Sequence, residues 1–579
     1  MPEFYAARNS FLVPLGLAAL LTVVNALKPV VVDDTAYLIF AQQIVATPLQ
    51  PYGPAPGTEI CWYQQAEPAF EILLPPVLPY WLSLGMHLFG ESIPLLKLWM
   101  FPFAWLFSSS LAFILGKIVP GFRIEGLLLL LLSPTFLPSM NFMLDIPALA
   151  LGLTGIRVLW DAKSDYKAIL SGLITGLAMQ TKYTAFSIPC ILLLMGLFIG
   201  SLRCSILAIT TAAALFCGWE LYVYRIYGHS HFLFHALAQN DSLQGVFFEE
   251  KWKLALALIG NLGGLFAVPS LVGWLALGFG KRFAYIGLGL IGLYVLALIG
   301  FPDSIYVLKT GDEEEHGRLT INSLSLMCLG TSSALAVLGS AFKLGISQRP
   351  DAANRSLDRF LILWLFVELG CYFALTPFPA SRRLMGLVVI GTLVCLRAFQ
   401  LRFGALPKPN CLRYVVAAAV VIGFFFAFVD LMDAHVEKNA IEEAKEWILQ
   451  QPDHEFPIWF AGHWGVQWYG REAGMKELWP EKSLVHRGDW VILPKGLWRP
   501  STQAVKIDPA LLRLKEIPIT RLAYGISLPI HTPLPNTIST YYGGKYPINR
   551  LTGPRVVLIV YRAEHDFEVR SRASSEVEK

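Results

Sequence analysis

Long apolar runs alternate with short polar stretches over the first three quarters of the chain. The first run lies between Arg8 and Lys28, and the others lie at about 93–115, 124–140, 146–160, 168–181, 184–200, 205–224, 254–278, 283–301, 319–342, 359–375, 384–400 and 412–432. A helix needs about 20 apolar residues to cross a membrane, and tilted or broken helices accommodate the shorter runs. The pattern predicts thirteen spans. No small-residue cleavage site cleanly follows the first run, so we expect it to remain as an uncleaved helix.

The basic residues collect in alternate loops, which is the pattern that marks the cytoplasmic side of a membrane protein. With the N-terminus inside, the inner loops carry most of the Lys and Arg residues near the span ends. The outer loops carry most of the exposed acids, including Asp33, Asp34, Asp145 and the run from Asp312 to Glu315. The sequence therefore predicts a multi-pass inner (plasma) membrane protein with a cytoplasmic N-terminus and an outer C-terminus.

The pattern changes at about His435, where a polar helical period gives way to short β-type runs separated by Pro and Gly. "IEEAKEWILQQ" predicts an amphipathic helix, while "PIWFAG", "DWVILP" and "RVVLIVYR" predict short buried strands. We therefore expect two parts: a transmembrane domain over residues 1–433, with a first outer loop at 29–92, and a small α/β domain over residues 434–579. The second domain lies in the periplasm or outside the cell.

Composition supports the membrane class and excludes several functions. Hydrophobic residues make up 55% of the chain and charged residues 15%, and the mean hydropathy is +0.53, which does not suit a water-soluble globule. A net charge of +4 is too small to indicate nucleic-acid binding. The eight cysteines form no CxxC pair, and no Gly-rich phosphate loop indicates a nucleotide-driven pump.

Two adjacent aspartates follow the first run, in "VVVDDTAYLIFAQQI". An Asp at this place can cap the helix that begins there, which accounts for one carboxylate but not for two. The next segment, Thr35 to Ala46, has the amphipathic pattern of a helix that lies along the membrane surface. Two carboxylates in such proximity should raise the proton affinity of one of them, which suits a base near neutral pH.

Several motifs resemble the GT-C superfamily of membrane glycosyltransferases when they are taken in order. They are the acidic pair with "DDTAYLIFAQQI", the Pro-rich "LPPVLPYWLSLGMHLFGES", "NFMLDIPALALGL" and "SGLITGLAMQTKYTAF". The chain is similar in particular to bacterial relatives of protein O-mannosyltransferases and of the lipid A aminoarabinose transferase. The resemblance covers about the first 400 residues. It implies a GT-C type fold and transfer of a sugar, with inversion, from a polyprenyl (undecaprenyl-type) phosphate to an acceptor at the outer face.

The resemblance also implies roles for three acidic residues. Asp33 is the candidate general base, and Asp34 orients it, assists it or caps the helix. Asp145 corresponds to the second acidic position of the superfamily, which helps to hold the acceptor or a metal, so a divalent metal stays open. The alternative for Asp145 is an N-cap before Pro147.

Three outward cations are candidates for holding the lipid phosphate. Lys182 lies in "QTKYTAF", and Arg382 and Arg383 lie in "TPFPASRRLMG". Arginine suits phosphate by its bidentate geometry and lysine by its point charge. The alternative is that each is an anchor that reaches to lipid headgroups.

Four further residues are candidates for contact with the acceptor or the donor: Tyr37, Tyr63, His229 and His231. His231 and His235 lie four residues apart on one predicted helix face, a spacing that zinc sites also use. No acidic or Cys partner lies at a matching spacing, so substrate contact or a surface helix is favoured over a metal site.

A lipid or sugar transporter, or a flippase, is the alternative function. Such a protein should show repeated halves and charged or broken helices at the middle of the membrane. Charge in this chain lies mostly at span ends, which favours the enzyme. The sugar and the acceptor, whether protein, lipid A, glycan or lipid, do not follow from the sequence.

Overall fold

The apolar runs are mainly α-helical in the structure, a computed structural model. It describes residues 2–62, 65–236, 251–300, 306–309, 318–347, 351–376, 380–404, 410–495, 505–506, 512–515, 530–531, 549–550 and 557–571. The helices of the first part are α1 (Pro2–Ala26), α2 (Asp34–Ala46), α3 (Ala69–Ile72), α4 (Val77–Phe89), α5 (Ile93–Trp99), α6 (Phe101–Ile118), α7 (Arg123–Leu131), α8 (Asp145–Trp160), α9 (Asp165–Met179), α10 (Ser187–Phe198), α11 (Leu202–Tyr227) and α12 (residues 231–236).

The remaining helices continue to the C-terminal part. They are α13 (Lys251–Leu265), α14 (Ala267–Leu277), α15 (Lys281–Gly300), α16 (Ile321–Ile346), α17 (Ala352–Leu375), α18 (Met385–Phe403), α19 (Asn410–Leu449) and α20 (Gly465–Glu472). Short 3-10 helices lie at Pro120–Phe122, Tyr183–Phe186 and Ser381–Leu384. Two small hairpins pair Glu59–Trp62 (β1) with Gln65–Pro68 (β2), and Tyr306–Lys309 (β3) with Arg318–Thr320 (β4).

The chain is a multi-pass membrane protein. Within the described residues, five helices are long and apolar enough to cross a membrane, and a sixth span is formed if the pair residues 254–265 and Ala267–Leu277, which meet at 88°, is counted as one. Shorter apolar helices, such as residues 183–198, accompany them. The total of thirteen spans stays a prediction.

The apolar run at 124–140 differs from the prediction of a continuous helix. Helix α7 ends at Leu131, and residues 132–144 form buried turns before α8 begins at Asp145. Pro134 and Pro138 explain the change, because proline lacks the amide proton and its ring clashes with the preceding turn of a helix. The turns bring the polar side chains of Ser139 and Asn141 into the protein interior.

Helix α2 forms as predicted but does not lie open on a surface. Its residues are buried without interruption from Asp34 to Ala41, and Gln42 and Gln43 are the partly exposed ones. The helix packs along α4, and Phe40 and Ile44 join an aromatic cluster with Tyr52 and Tyr227. The helix is thus covered by protein over its first eight residues, with Val45 and Ala46 exposed at its end, and its place at the membrane surface stays a prediction.

The C-terminal part contains a mixed five-stranded sheet. It includes the three predicted strands, β5 (Ile458–Phe460), β8 (Trp490–Lys495) and β13 (Val557–Ala563), together with β6 (Lys476–Glu477) and β10 (Leu512–Lys515), in the order β10-β13-β8-β5-β6. Strand β5 pairs in parallel with β6 and β8, and β13 pairs antiparallel with β8 and β10. Helix α20 lies between β5 and β6, as a parallel connection requires. The other short strands are β7 (Leu484–Val485), β9 (Val505–Lys506), β11 (Ile530–His531), β12 (Asn549–Arg550), β14 (Phe567–Glu568) and β15 (Arg570–Ser571).

The sheet region is joined closely to the helical region. Helix α19 runs without a break across residue 433. Its last part, which ends at Leu449, covers most of the helix predicted at 441–451. The hydroxyl of Tyr469 accepts a hydrogen bond from the Val30 amide at 2.7 Å, and Gln467 Nε2 donates to the Cys61 carbonyl at 2.8 Å. The division into two domains stays a prediction, and the contacts place the C-terminal sheet region against the first outer loop.

Candidate active site

Asp33 and Asp145 lie far apart in the sequence, but each lies at the start of a helix. Asp33 is the residue before α2, and Asp145 is the first residue of α8. A carboxylate in this position is favoured by the partial positive charge of the helix N-terminus. Neither Asp34 nor Asp145 is the N-cap residue of its helix, because each is the first helical residue. The N-cap residues are Asp33 and Leu144, and neither makes a side-chain capping bond.

Arg382 lies between these two carboxylates. It belongs to the 3-10 turn Ser381–Leu384 that leads into α18, and its side chain is only 6% exposed. Its Nη2 atom lies 3.7 Å from Asp33 Oδ2, and its Nε atom lies 3.8 Å from Asp145 Oδ2. Lys182, which directly precedes the 3-10 helix Tyr183–Phe186, forms an ion pair with the other oxygen of Asp145. The structure thus joins Asp33, Arg382, Asp145 and Lys182 in one row, which we call the charged row.

The charged row borders an open pocket. The pocket encloses about 630 Å³ of empty space, including space open to solvent, and Arg382, Arg383, Lys182 and Asp145 line it together with Glu368. All three cations that the sequence singled out for a phosphate therefore face one cavity.

Burial tunes the amine of Lys182. Removal from water, together with the neighbouring Arg383 and Arg382, lowers its pKa to about 8, although the attraction of Asp145 opposes this fall. A lysine with this pKa is still cationic at neutral pH, but it loses its charge at a mildly alkaline pH.

Asp34 belongs to a different set of contacts. It is fully buried, its Oδ2 atom lies 3.4 Å from Lys97 Nζ, and its Oδ1 atom accepts a hydrogen bond from the Phe142 amide at 3.1 Å. Burial raises the pKa of Asp34, and the charges of Lys97 and Lys28 oppose that rise. The two neighbouring aspartates therefore have separate cations: Asp33 has Arg382 and Asp34 has Lys97. The sequence predicted that the two carboxylates mainly influence each other, whereas in the structure each one pairs with its own cation.

The remaining candidates are not members of the charged row. Tyr37 is buried in the main core, and His229 is exposed in the turn after α11. Tyr63 lies outside the described residues. Their contact with substrate stays a prediction.

His231 is fully buried and bonded to protein groups at both ring nitrogens. Nδ1 lies 2.6 Å from the Tyr183 hydroxyl, and Nε2 lies 2.8 Å from the Leu73 carbonyl and 3.1 Å from His235 Nε2. Burial lowers the pKa of both histidines. This environment favours a packing role for His231. In the part of the chain that the structure describes, no group of three His, Cys, Asp or Glu residues is arranged to hold a metal ion.

Four charged residues near the site were missed: Lys28, Lys97 and Asp430, which are buried, and Glu368, which is partly buried and lines the pocket. Lys97, Glu368 and Asp430 lie inside predicted spans, and Lys28 lies at the end of the first run. That position was itself the signal, because an ionisable residue within an apolar run is costly unless it has a partner or a function.

Comparison with known proteins gives matches only among solved structures, since no protein-family model and no curated protein matches the chain. It is similar to the Archaeoglobus fulgidus oligosaccharyltransferase in the apo form, with 13% identity and a TM-score of 0.45. The same comparison finds AglB from that organism in complex with an inhibitory peptide and a dolichol-phosphate, with 13% identity and a TM-score of 0.41. Each match covers 81% of this chain and 64% of the archaeal chain. The chain therefore spans about two thirds of the length of those enzymes.

A further match is ArnT from Cupriavidus metallidurans bound to undecaprenyl phosphate, with 12% identity and a TM-score of 0.35 over 95% of this chain and 97% of that one. These neighbours are GT-C superfamily membrane glycosyltransferases, the superfamily that the sequence motifs resemble.

Proposed function

We propose that the protein transfers a sugar from a polyprenyl phosphate to an acceptor at the outer membrane face. The observation that carries the proposal is the charged row beside a pocket lined by three cations. An enzyme for this reaction needs a carboxylate to accept the proton of the acceptor and cations to hold the departing phosphate. Both requirements are met within one connected group of side chains.

In this proposal, Asp33 is the general base. The acceptor oxygen or nitrogen attacks the anomeric carbon of the sugar, and its proton passes to a carboxylate oxygen of Asp33. The bond from that carbon to the phosphate oxygen breaks, and its electron pair stays on the lipid phosphate. Attack opposite to the leaving group inverts the anomeric centre. Asp145 orients Lys182 and Arg382 and lies next to the place of the acceptor.

The three cations are proposed to bind the phosphate in both the donor and the product. Arg382 and Arg383 can each offer two parallel N–H donors, while Lys182 adds a point charge. The negative charge on the leaving phosphate grows during transfer, so fixed cations stabilise the transition state more than the ground state. Arg382 contacts both carboxylates and thereby connects the phosphate to the base.

The proposal is tested with purified protein in lipid nanodiscs and a panel of polyprenyl phosphate sugars, in the presence of membrane extract as the source of acceptor. We expect the wild type to consume one donor and Asp33→Asn to lose about 10² to 10⁴ in rate. Asp358→Asn is the control, because Asp358 is also a buried, ion-paired carboxylate but pairs with Arg397 near the other end of α18. If the wild type leaves every donor intact while it moves a lipid across vesicles, the transporter replaces the enzyme.

A further inference from the structure

The backbone that presents Asp33 has an unfavourable conformation. Val32 has φ of +47°, a region that β-branched residues rarely occupy. Such a conformation persists only when the surroundings hold it. Here the side chains of Val31 and Val32 are buried against Ala434 and Trp464 of the C-terminal part.

Lys97 connects this strained segment to the turns that precede α8. Its Nζ atom donates to the Pro29 carbonyl at 3.1 Å and to Asn141 Oδ1 at 3.3 Å, and it forms the ion pair with Asp34. Asp34 in turn accepts from the amide of Phe142. Segment 29–34 ends at the Asp33–Asp34 pair, and segment 138–142 ends three residues before Asp145.

Lys28 makes a second link of the same kind. Its Nζ atom forms an ion pair with Asp430 Oδ2 at 2.6 Å and donates to the Pro138 carbonyl. Both lysines are almost fully buried, as are both of their carboxylate partners. Two buried ion pairs thus hold the same two segments, one pair through α5 and the other through α19.

We infer that Lys97 and Lys28 are positioning residues that fix segments 29–34 and 138–142 relative to each other, so that Asp33 and Asp145 both reach Arg382. The inference rests on the proposed function of the charged row. Lys97 and Lys28 act through the backbone that carries Asp33 and Asp145, whereas Lys182, Arg382 and Arg383 line the pocket itself. The role assigned to Asp34 follows: it completes the Lys97 link.

A mutant cycle on the Lys97–Asp34 pair separates positioning from catalysis. Removing one partner of a buried pair leaves a charge without compensation, and the double variant removes that charge but does not restore the Lys97 link. We expect Lys97→Met to lower kcat more than tenfold and to change the donor KM less than threefold, because the cations of the pocket remain. Asp34→Asn should also lower kcat, and the double variant Lys97→Met/Asp34→Asn should stay at least fivefold below the wild type. The inference is overturned if Lys97→Met keeps the wild-type kcat, or if the double variant regains it, because the loss would then come from the unpaired charge and not from the missing link.

Arg397→Met is the matched control. Arg397 is also buried and ion-paired, with Asp358 at 2.9 Å, but it lies 15 residues after Arg382, about 22 Å along a helix. It should reduce thermal stability while kcat per folded molecule stays within threefold of the wild type.

A second measurement reports the geometry without any sugar donor. A zero-length carbodiimide couples a carboxylate to an amine that touches it, so mass spectrometry of digested protein should detect the Asp145–Lys182 link in the wild type and in Arg397→Met. The yield should fall severalfold in Lys97→Met and stay low in the double variant. An unchanged yield in Lys97→Met overturns the inference. If the wild type transfers no sugar but the coupling pattern appears as expected, the proposed function fails and the positioning of the row stands.

Discussion

Replacing Arg382 should be more damaging than replacing any other cation of the pocket. The side chain contacts two buried carboxylates at 3.7 and 3.8 Å. With an effective dielectric constant of about 20, each contact corresponds to about 4 kcal/mol of attraction before the cost of desolvation. Removing one partner of a buried ion pair typically costs about 3–5 kcal/mol in stability. Arg382→Met therefore leaves Asp33 and Asp145 without that cation, and it also removes one of the cations proposed to hold the phosphate. We expect a loss of about 10² to 10³ in kcat.

Arg382→Lys tests the geometric part of the argument. Lysine keeps the charge but cannot offer two separate N–H groups, one toward each carboxylate. We expect its kcat to lie between those of the wild type and Arg382→Met, and its donor KM to rise. Both variants are assayed for initial rates with the consumed donor, after size-exclusion chromatography confirms a folded sample. A kcat/KM of Arg382→Met within threefold of the wild type would refute the role of the charged row.

Three further outcomes follow from other contacts. The pKa of Lys182 is about 8, so its charge is lost as pH rises through that value. The donor KM of the wild type should therefore increase above about pH 8. In Lys182→Arg the KM should stay constant to higher pH, because the guanidinium remains charged. His231→Phe removes the bond to the Tyr183 hydroxyl inside the protein and should lower stability by about 1–3 kcal/mol in a thermal-shift assay, and an increased donor KM at unchanged stability would contradict the packing role. Tyr469→Phe leaves the Val30 amide without its acceptor and should lower both Tm and kcat; an unaffected kcat would show that the C-terminal part does not support the site.

The side chains of the charged row could be selected from the sequence because they break its pattern. Asp33, Asp145, Lys182 and Arg382 lie at ends of apolar runs that the loop charges assign to one side. Ends of neighbouring spans on one side of a membrane lie at one level, so convergence of these residues is a reasonable expectation. Which carboxylate meets which cation did not follow, because Asp33 and Arg382 are separated by almost the whole helical region.

The buried links could not be predicted in the same way. Lys97 and Asp34 are 63 positions apart, and Lys28 and Asp430 are 402 apart, so no local period connects them. The turns at 132–144 were hidden in an apolar run, since hydropathy does not register the effect of Pro134 and Pro138 on the backbone. The amphipathic pattern of α2 likewise did not show that α4 packs along this helix, because a local pattern does not identify the partner of a face.

The pairing within the charged row has a consequence for timing. Before a donor enters, Lys182 and Arg382 are engaged by Asp145 and Asp33, and the two cations and two carboxylates balance. A phosphate that draws these cations toward itself loosens their hold on the carboxylates, and a carboxylate that loses a cationic neighbour holds a proton more tightly. On the proposed chemistry, the base accepts a proton more readily once the lipid-linked sugar has bound. Binding of the donor would then be coupled to activation of the base through the salt bridges themselves rather than through a moving lid.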